Sequence, residues 1–261
     1  MRLILALLAT LTVTWTTPAM AAASETDAVT GIVLVAGATG RTGRHVVEQL
    51  LERGLAVRVL SRSEDGARAL FGDRVQVAQG DVREPATLAP AVDGARYVIW
   101  AVGSNSRADP SNSPEAVDYR GVKNLVAAAV AAGGVEHVVL ISSRGVAEPT
   151  HPLNRFANNI LLWKGLGENA LRFSGLNYTV VRPGGLTEEP ATGAVLAGQD
   201  TALPPGSITR ADVARVCVEA LGKPAAYGKT VSIVADPQGR PTAWAKLFKG
   251  ITEDTQVRIG N

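Results

Sequence analysis

The chain has 261 residues, 46% of them hydrophobic and 19% charged, a composition that suits one sizeable buried core and excludes intrinsic disorder. Its 26 Lys and Arg against 24 Asp and Glu leave a formal charge of +2, too balanced for the broad cationic face that sequence-independent nucleic-acid binding requires. The single cysteine, Cys217, rules out an intrachain disulfide, and His45, His137 and His151 lack metal-ligand spacing, so neither a nucleic-acid partner nor a metal site is expected.

The first segment differs from the rest. Met1 and Arg2 precede an apolar run from Leu3 to Leu11, then threonines, Pro18 and a small-residue stretch from Ala19 to Ala23. This three-part pattern predicts a cleavable signal over residues 1–23, cut after Ala21 or Ala23, and an exported protein, periplasmic or secreted. The alternative is an uncleaved leader that anchors the chain to a membrane, although the run falls short of the roughly 20 residues a spanning helix needs.

After a polar joint from Ser24 to Thr30, the run Ile32 to Ala36 is short, β-branched and bounded by glycines, as expected of a strand buried on both faces of a parallel sheet. The stretch Gly37-Ala38-Thr39-Gly40-Arg41-Thr42-Gly43 follows, and Val46, Val47, Leu50 and Leu51 then mark an apolar helical stripe that stops near Gly54. Glycines between a first strand and a first helix permit a tight turn and bring backbone N–H groups close to a diphosphate, with the helix N-terminus facing the anion. The second strand, Ala56 to Leu60, ends at Ser61-Arg62-Ser63. A carboxylate there would accept from the adenosine ribose, whereas Arg62 suits a 2′-phosphate, so NADP(H) is expected over NAD(H).

Further strands are predicted at Val75 to Ala78, Tyr97 to Ala101, Val138 to Ile141, Tyr178 to Val181 and Thr230 to Val234. A second stripe, Val117, Gly121, Val122, Leu125 and Val126, ends at Gly133-Gly134. Asp81-Val82 after the third strand is expected to border the adenine, and Ala101-Val102-Gly103 after the fourth to run beneath the ribose and nicotinamide half. Strands alternating with helices predict an α/β fold, a Rossmann-type doubly wound parallel sheet. No linker or repeat divides residues 24–261, which read as a single domain. The Gly-, Pro- and Ala-rich segment over about 184–207 is expected to form a small C-terminal lobe at the carboxyl edge of the sheet, where substrate specificity would reside.

The glycine turn, Asp81-Val82, Ser142-Ser143, Lys164, Arg182-Pro183-Gly184, the run Leu171 to Gly184 and the run Ser207 to Ala214 together resemble the atypical short-chain dehydrogenase/reductases, especially their NmrA-like, NAD(P)H-binding branch. The similarity extends from about Gly31 to Ala220. It implies a Rossmann domain for NADPH or NADH, contacted at Gly37, Thr39, Gly40, Arg41, Thr42, Gly43, Arg62, Asp81, Val82, Ala101, Gly103, Ser142, Lys164 and Pro183. It also implies activity on flavins, quinones or other carbonyl-like acceptors, or sensing of the cofactor without turnover.

In active members of the wider superfamily a Ser orients the carbonyl, a Tyr donates a proton, and a Lys four residues later holds the ribose. Ser142 or Ser143 fills the first role here and Lys164 the third, making Ser143 and Lys164 the candidate catalytic residues. The position four before Lys164 is Ile160, which cannot transfer a proton. A literal Tyr-x-x-x-Lys at Tyr119 to Lys123 lies on the helix before the fifth strand, the wrong place to meet the serine, so Tyr119 is expected to pack on a helix surface. His151 is expected to be a solvated loop residue, with Ser143 or solvent as the other proton sources. Two functions follow: an NADPH-dependent reductase of a small-molecule acceptor, and a non-catalytic sensing or redox-complex assembly module acting on a protein partner.

Overall fold

The segment Ile32–Ala36 (β1) buries Val33 and Val35 on one face and Leu34 and Ala36 on the other, all without solvent exposure, which is why it lies at the centre of the sheet. The computed structural model describes residues 29–199 and 202–255; the leader at 1–23, with its expected cleavage sites, lies outside them. From β1 the chain runs through α1 (Arg41–Glu52), β2 (Ala56–Ser61), α2 (Glu64–Phe71), β3 (Gln76–Gln79), α3 (Ala89–Val92), β4 (Ala95–Trp100), a π-helical turn (Glu115–Gly121), α4 (Val122–Ala132) and β5 (His137–Ile141). It continues through α5 (Pro152–Phe156), α6 (Ile160–Arg172), β6 (Tyr178–Pro183), β7 (Gly185–Thr187), β8 (Val195–Gly198), β9 (Ser207–Thr209), α7 (Arg210–Ala220) and β10 (Lys229–Ala235).

The eight-stranded sheet has the order β3-β2-β1-β4-β5-β6-β10-β8, parallel except for the edge strand β8, which runs antiparallel to β10. Strand order reverses between β1 and β4, so a crevice opens beyond their carboxyl ends, the place where doubly wound sheets bind ligands. Residues of α1, α2 and α7 share one apolar core with one face of the sheet, and residues of α3, α4 and α6 share the other. The Rossmann-type α/β fold expected from the alternation is therefore the fold found.

The segment expected to be irregular contains β7, β8 and the start of β9: β7 and β9 pair in parallel as a separate small sheet, while β8 joins the edge of the main sheet. Arg144, in the turn after β5, fastens this segment from inside: it donates from Nη1 to Pro204 O at 2.6 Å and from Nη2 to Leu203 O at 2.9 Å. The second helical stripe begins with the π-helical turn rather than a regular α-helical one, an irregularity frequent at functional sites.

Candidate functional site

The crevice is built by the glycine turn. Gly37 has φ of +81°, and a Cβ there would lie 2.7 Å from the backbone of Ala101 and Val102, so only glycine lets the end of β1 touch the end of β4. At Gly43 a Cβ would lie 2.1 Å from Gly37 O, which fixes the approach of α1 to the turn. Gly40 differs: a Cβ there would meet only Gly37 O, at 3.1 Å, and its outer side is open.

Helix α1 starts at this open side without a capping side chain and without an acidic residue in its first turn, whereas α2 and α7 are capped by Ser63 and Thr209. Its first N–H groups, which have no carbonyl partner within the helix, therefore lie uncapped by any side chain at the positive end of the helix dipole. The cradle suits a diphosphate: a Cβ at Gly40 would meet only Gly37 O, and the first N–H groups of α1 lack a capping side chain.

The other expected cofactor residues lie at or just beyond the carboxyl ends of their strands. Arg62, at the end of β2, is exposed, and among the described residues its guanidinium makes no hydrogen bond. Asp81 is engaged by Arg83, which reaches it from Nη2 at 2.6 Å; this bond, with a contribution from the charge of Arg62, holds the Asp81 carboxyl below the usual carboxylate range. Val82 is buried in the α3–α4 core, and Pro183 is buried at the end of β6.

Lys164 lies on α6 and donates to Asp118 Oδ1 at 2.7 Å, in a pair where the lysine side chain is 15% exposed and the carboxylate 1%. The other oxygen of Asp118 accepts from the Ser104 N–H at 3.4 Å. One buried carboxylate therefore links Lys164 to the loop that begins at Ala101 and Gly103. Sequence reasoning missed Asp118 because it is 46 residues from its partner; its one local signal is a charge inside an apolar helical stripe.

The two serines after β5 part ways. Ser142 donates its hydroxyl to the fully buried Glu168, which also accepts from Arg182 Nη2 at 2.6 Å and Arg172 Nη2 at 2.9 Å. That network joins α6 to β6 and holds the helix carrying Lys164. Ser143 is half-buried, and among the described residues its hydroxyl makes no hydrogen bond, which leaves it for a ligand.

The remaining candidates have other tasks. Tyr119, in the π turn, packs against α6 as expected: its ring stacks on Trp163 with centroids 6.0 Å apart. His151, in the loop before α5, accepts the Leu153 N–H on Nδ1 at 3.1 Å in an exposed hydrogen bond and so caps α5. Cys217 is completely buried, and burial pushes its thiol pKa up, away from redox chemistry. Among the described residues no group of three or more His, Cys, Asp or Glu is placed to hold a metal.

A family profile described as NAD(P)H-binding matches residues 37–224, from the glycine turn through α7. The chain belongs to this family. An uncharacterised chloroplastic protein of Arabidopsis thaliana is 37% identical over 255 residues, covering 89% of this chain and 77% of its own. The sanguinarine reductase of Eschscholzia californica is 34% identical over 260 residues, covering 84% of this chain and 94% of its own. Among solved structures, a putative NAD-dependent epimerase/dehydratase from Bacillus halodurans superposes with a TM-score of 0.74 at 28% identity, over 84% of this chain and 98% of that one.

These findings establish an NAD(P)H-binding domain of the oxidoreductase type with the Rossmann fold. They also correct one expectation. Curated relatives with the same domain are chloroplastic, which overturns the periplasmic or secreted location inferred from residues 1–23. The three-part apolar pattern of residues 1–23 is a compositional signal, and it does not outweigh the location of the relatives.

Proposed function

We propose that the protein is an NADPH-dependent reductase of a planar conjugated acceptor of the flavin or quinone type. The observation that carries this reading is Lys164, a lysine held by the buried Asp118 beside the loop from Ala101 to Ser104, combined with isoleucine at position 160. NADPH, when bound, supplies the hydride. Gly37 to Gly43 would bind its diphosphate, Ala101 and Gly103 would flank its nicotinamide half, and Lys164 would hold the adjoining ribose. Ser143 donates its free hydroxyl to an acceptor oxygen. The Lys164 ammonium, fixed by Asp118, stabilises the negative charge that develops on the acceptor as hydride arrives. Because Ile160 offers no proton, the chemistry favours acceptors whose reduced form takes its proton from water.

Arg62 selects NADPH over NADH: among the described residues its exposed guanidinium makes no hydrogen bond or salt bridge, and the nearby Asp81 is already held by Arg83. The lobe over 184–207 encloses the acceptor. The sanguinarine reductase at 34% identity supports a reductase reading, and the chloroplastic relatives favour organelle targeting for the N-terminal segment. The test is NADPH oxidation by the purified protein against a panel of flavins, quinones and carbonyls, with Gly40→Asp as the binding-deficient control. Turnover no greater than that control removes the reductase reading. A second reading, a cofactor-sensing module, is favoured by Ile160 alone, and micromolar NADPH binding with no turnover on any acceptor would select it.

A further inference from the structure

The N-terminus of α1 has a neighbour that the glycine motif does not announce. Packing of α1 against α7 brings Arg210, the first residue of α7, over Thr42, 168 positions away in sequence. Arg210 donates from Nη1 to Thr42 Oγ1 at 3.1 Å and from Nε to Glu188 Oε1 at 2.7 Å. Arg41 donates from Nη1 to the same Glu188 oxygen at 2.8 Å. A single carboxylate from the lobe thus bridges two guanidinium groups beside the uncapped end of α1.

Arg210 is not needed to finish its own helix. Thr209 and Asp212 cap α7, and Asp212 also takes the N–H groups of Thr192 and Gly193. The Arg210 side chain is only 11% exposed, yet among the described residues its second terminal nitrogen makes no hydrogen bond. Two positive charges and a helix N-terminus meet one negative charge there, so the locality still favours an anion. Glu188 responds to this field: its bond from Arg210, with Arg41 adding to it, holds its carboxyl below the usual range.

We propose that Arg210 is a further ligand of the dinucleotide diphosphate, and that Glu188 is a positioning residue that aligns Arg210 and Arg41 across it. The lobe carrying Glu188 is strapped to the glycine turn through Arg41 and Arg210, and a bound diphosphate adds a further tie to that strap. This inference rests on the reading that a dinucleotide diphosphate binds at the glycine turn.

The experiment measures equilibrium binding and dissociation rates by fluorescence and calorimetry for NADPH, ADP and 2′-AMP, the last of which lacks a diphosphate. The proteins are the wild type, Arg210→Gln, Arg210→Lys, Glu188→Gln and the neighbouring exposed control Glu189→Gln. Arg210→Gln is expected to weaken NADPH and ADP by about 10- to 100-fold, the worth of one charge-assisted hydrogen bond, and to leave 2′-AMP unchanged. Arg210→Lys recovers part of that loss, which separates charge from folding. Glu188→Gln is expected to speed NADPH dissociation by about 3- to 10-fold, with Glu189→Gln silent. Limited proteolysis gives an independent readout: NADPH protects the 184–207 lobe in the wild type and no longer does so in Glu188→Gln. Tighter binding by Glu188→Gln would overturn the inference by making the carboxylate a competitor of the diphosphate. Unchanged ADP affinity in a folded Arg210→Gln protein would overturn it by reducing Arg210 to a strut on Thr42. If the wild type binds neither NADPH nor ADP, the glycine-turn reading itself is what fails.

Discussion

Replacing Lys164 by methionine removes an ammonium from a nearly dry carboxylate. Among the described residues Asp118 then keeps only the Ser104 N–H, at 3.4 Å, and its side chain is 1% exposed, so the charge left behind is scarcely solvated. Breaking one side of a buried pair costs about 3 kcal/mol or more. Asp118→Asn keeps the shape and leaves Lys164, 15% exposed, able to turn its ammonium to water, so we expect a smaller loss of about 1 kcal/mol. In the double variant Asp118→Asn/Lys164→Met no charge is stranded, and the destabilisation falls to about 2 kcal/mol, a coupling of about 2 kcal/mol. Urea unfolding of the four proteins, analysed as a double-mutant cycle, measures this directly. Losses that add to within about 0.5 kcal/mol would mean that the pair is screened by solvent, and the picture of Lys164 as a fixed charge would be refuted. The kinetic counterpart is that Asp118→Asn lowers kcat more than it alters NADPH affinity, because the ammonium is kept but no longer aimed.

Gly43→Ala should prevent stable folding, since its Cβ would lie 2.1 Å from Gly37 O, whereas Gly134→Ala, in open space, should leave the thermal midpoint unchanged. Gly40→Ala should keep the fold but lose dinucleotide affinity at least tenfold in calorimetry, because its methyl enters the cradle. Arg62→Ala should weaken NADPH about tenfold and leave NADH within about twofold; equal losses for both would show that Arg62 does not contact the 2′-phosphate. His137 is fully buried, and burial pushes its pKa down from 6.5 to about 3. The unfolded chain therefore takes up a proton that the native one refuses, and stability contributed above pH 6.5 is lost at up to about 1.4 kcal/mol per pH unit as pH falls toward about 3. Urea midpoints at pH 7, 6 and 5 should converge for His137→Gln relative to wild type; parallel slopes would exclude His137 as the linked group.

Much of the architecture is local and therefore legible. Runs such as Ile32–Ala36, apolar at every position, announce a strand buried on both faces, and the glycines after it announce a turn that no residue with a Cβ makes. The end of β2 likewise shows in sequence that Arg62 stands where a carboxylate might have been. Residues 1–23 misled because composition alone does not distinguish one targeting route from another.

What the sequence by itself determined is periodicity and turn chemistry: the order of strands and helices, the Rossmann-type sheet and the position of the glycine turn. Only the tertiary structure decided which side chains meet. Gly167 lets α6 cross the π turn so closely that a Cβ there would lie 2.2 Å from Asp118 O, and that crossing delivers Lys164 to Asp118. Packing of α7 on α1 likewise carries Arg210 to Thr42, and the tilt of α6 against β6 commits Ser142 to Glu168 while leaving Ser143 free. Such meetings depend on where two elements cross, a property of both surfaces together that no single stretch of sequence contains.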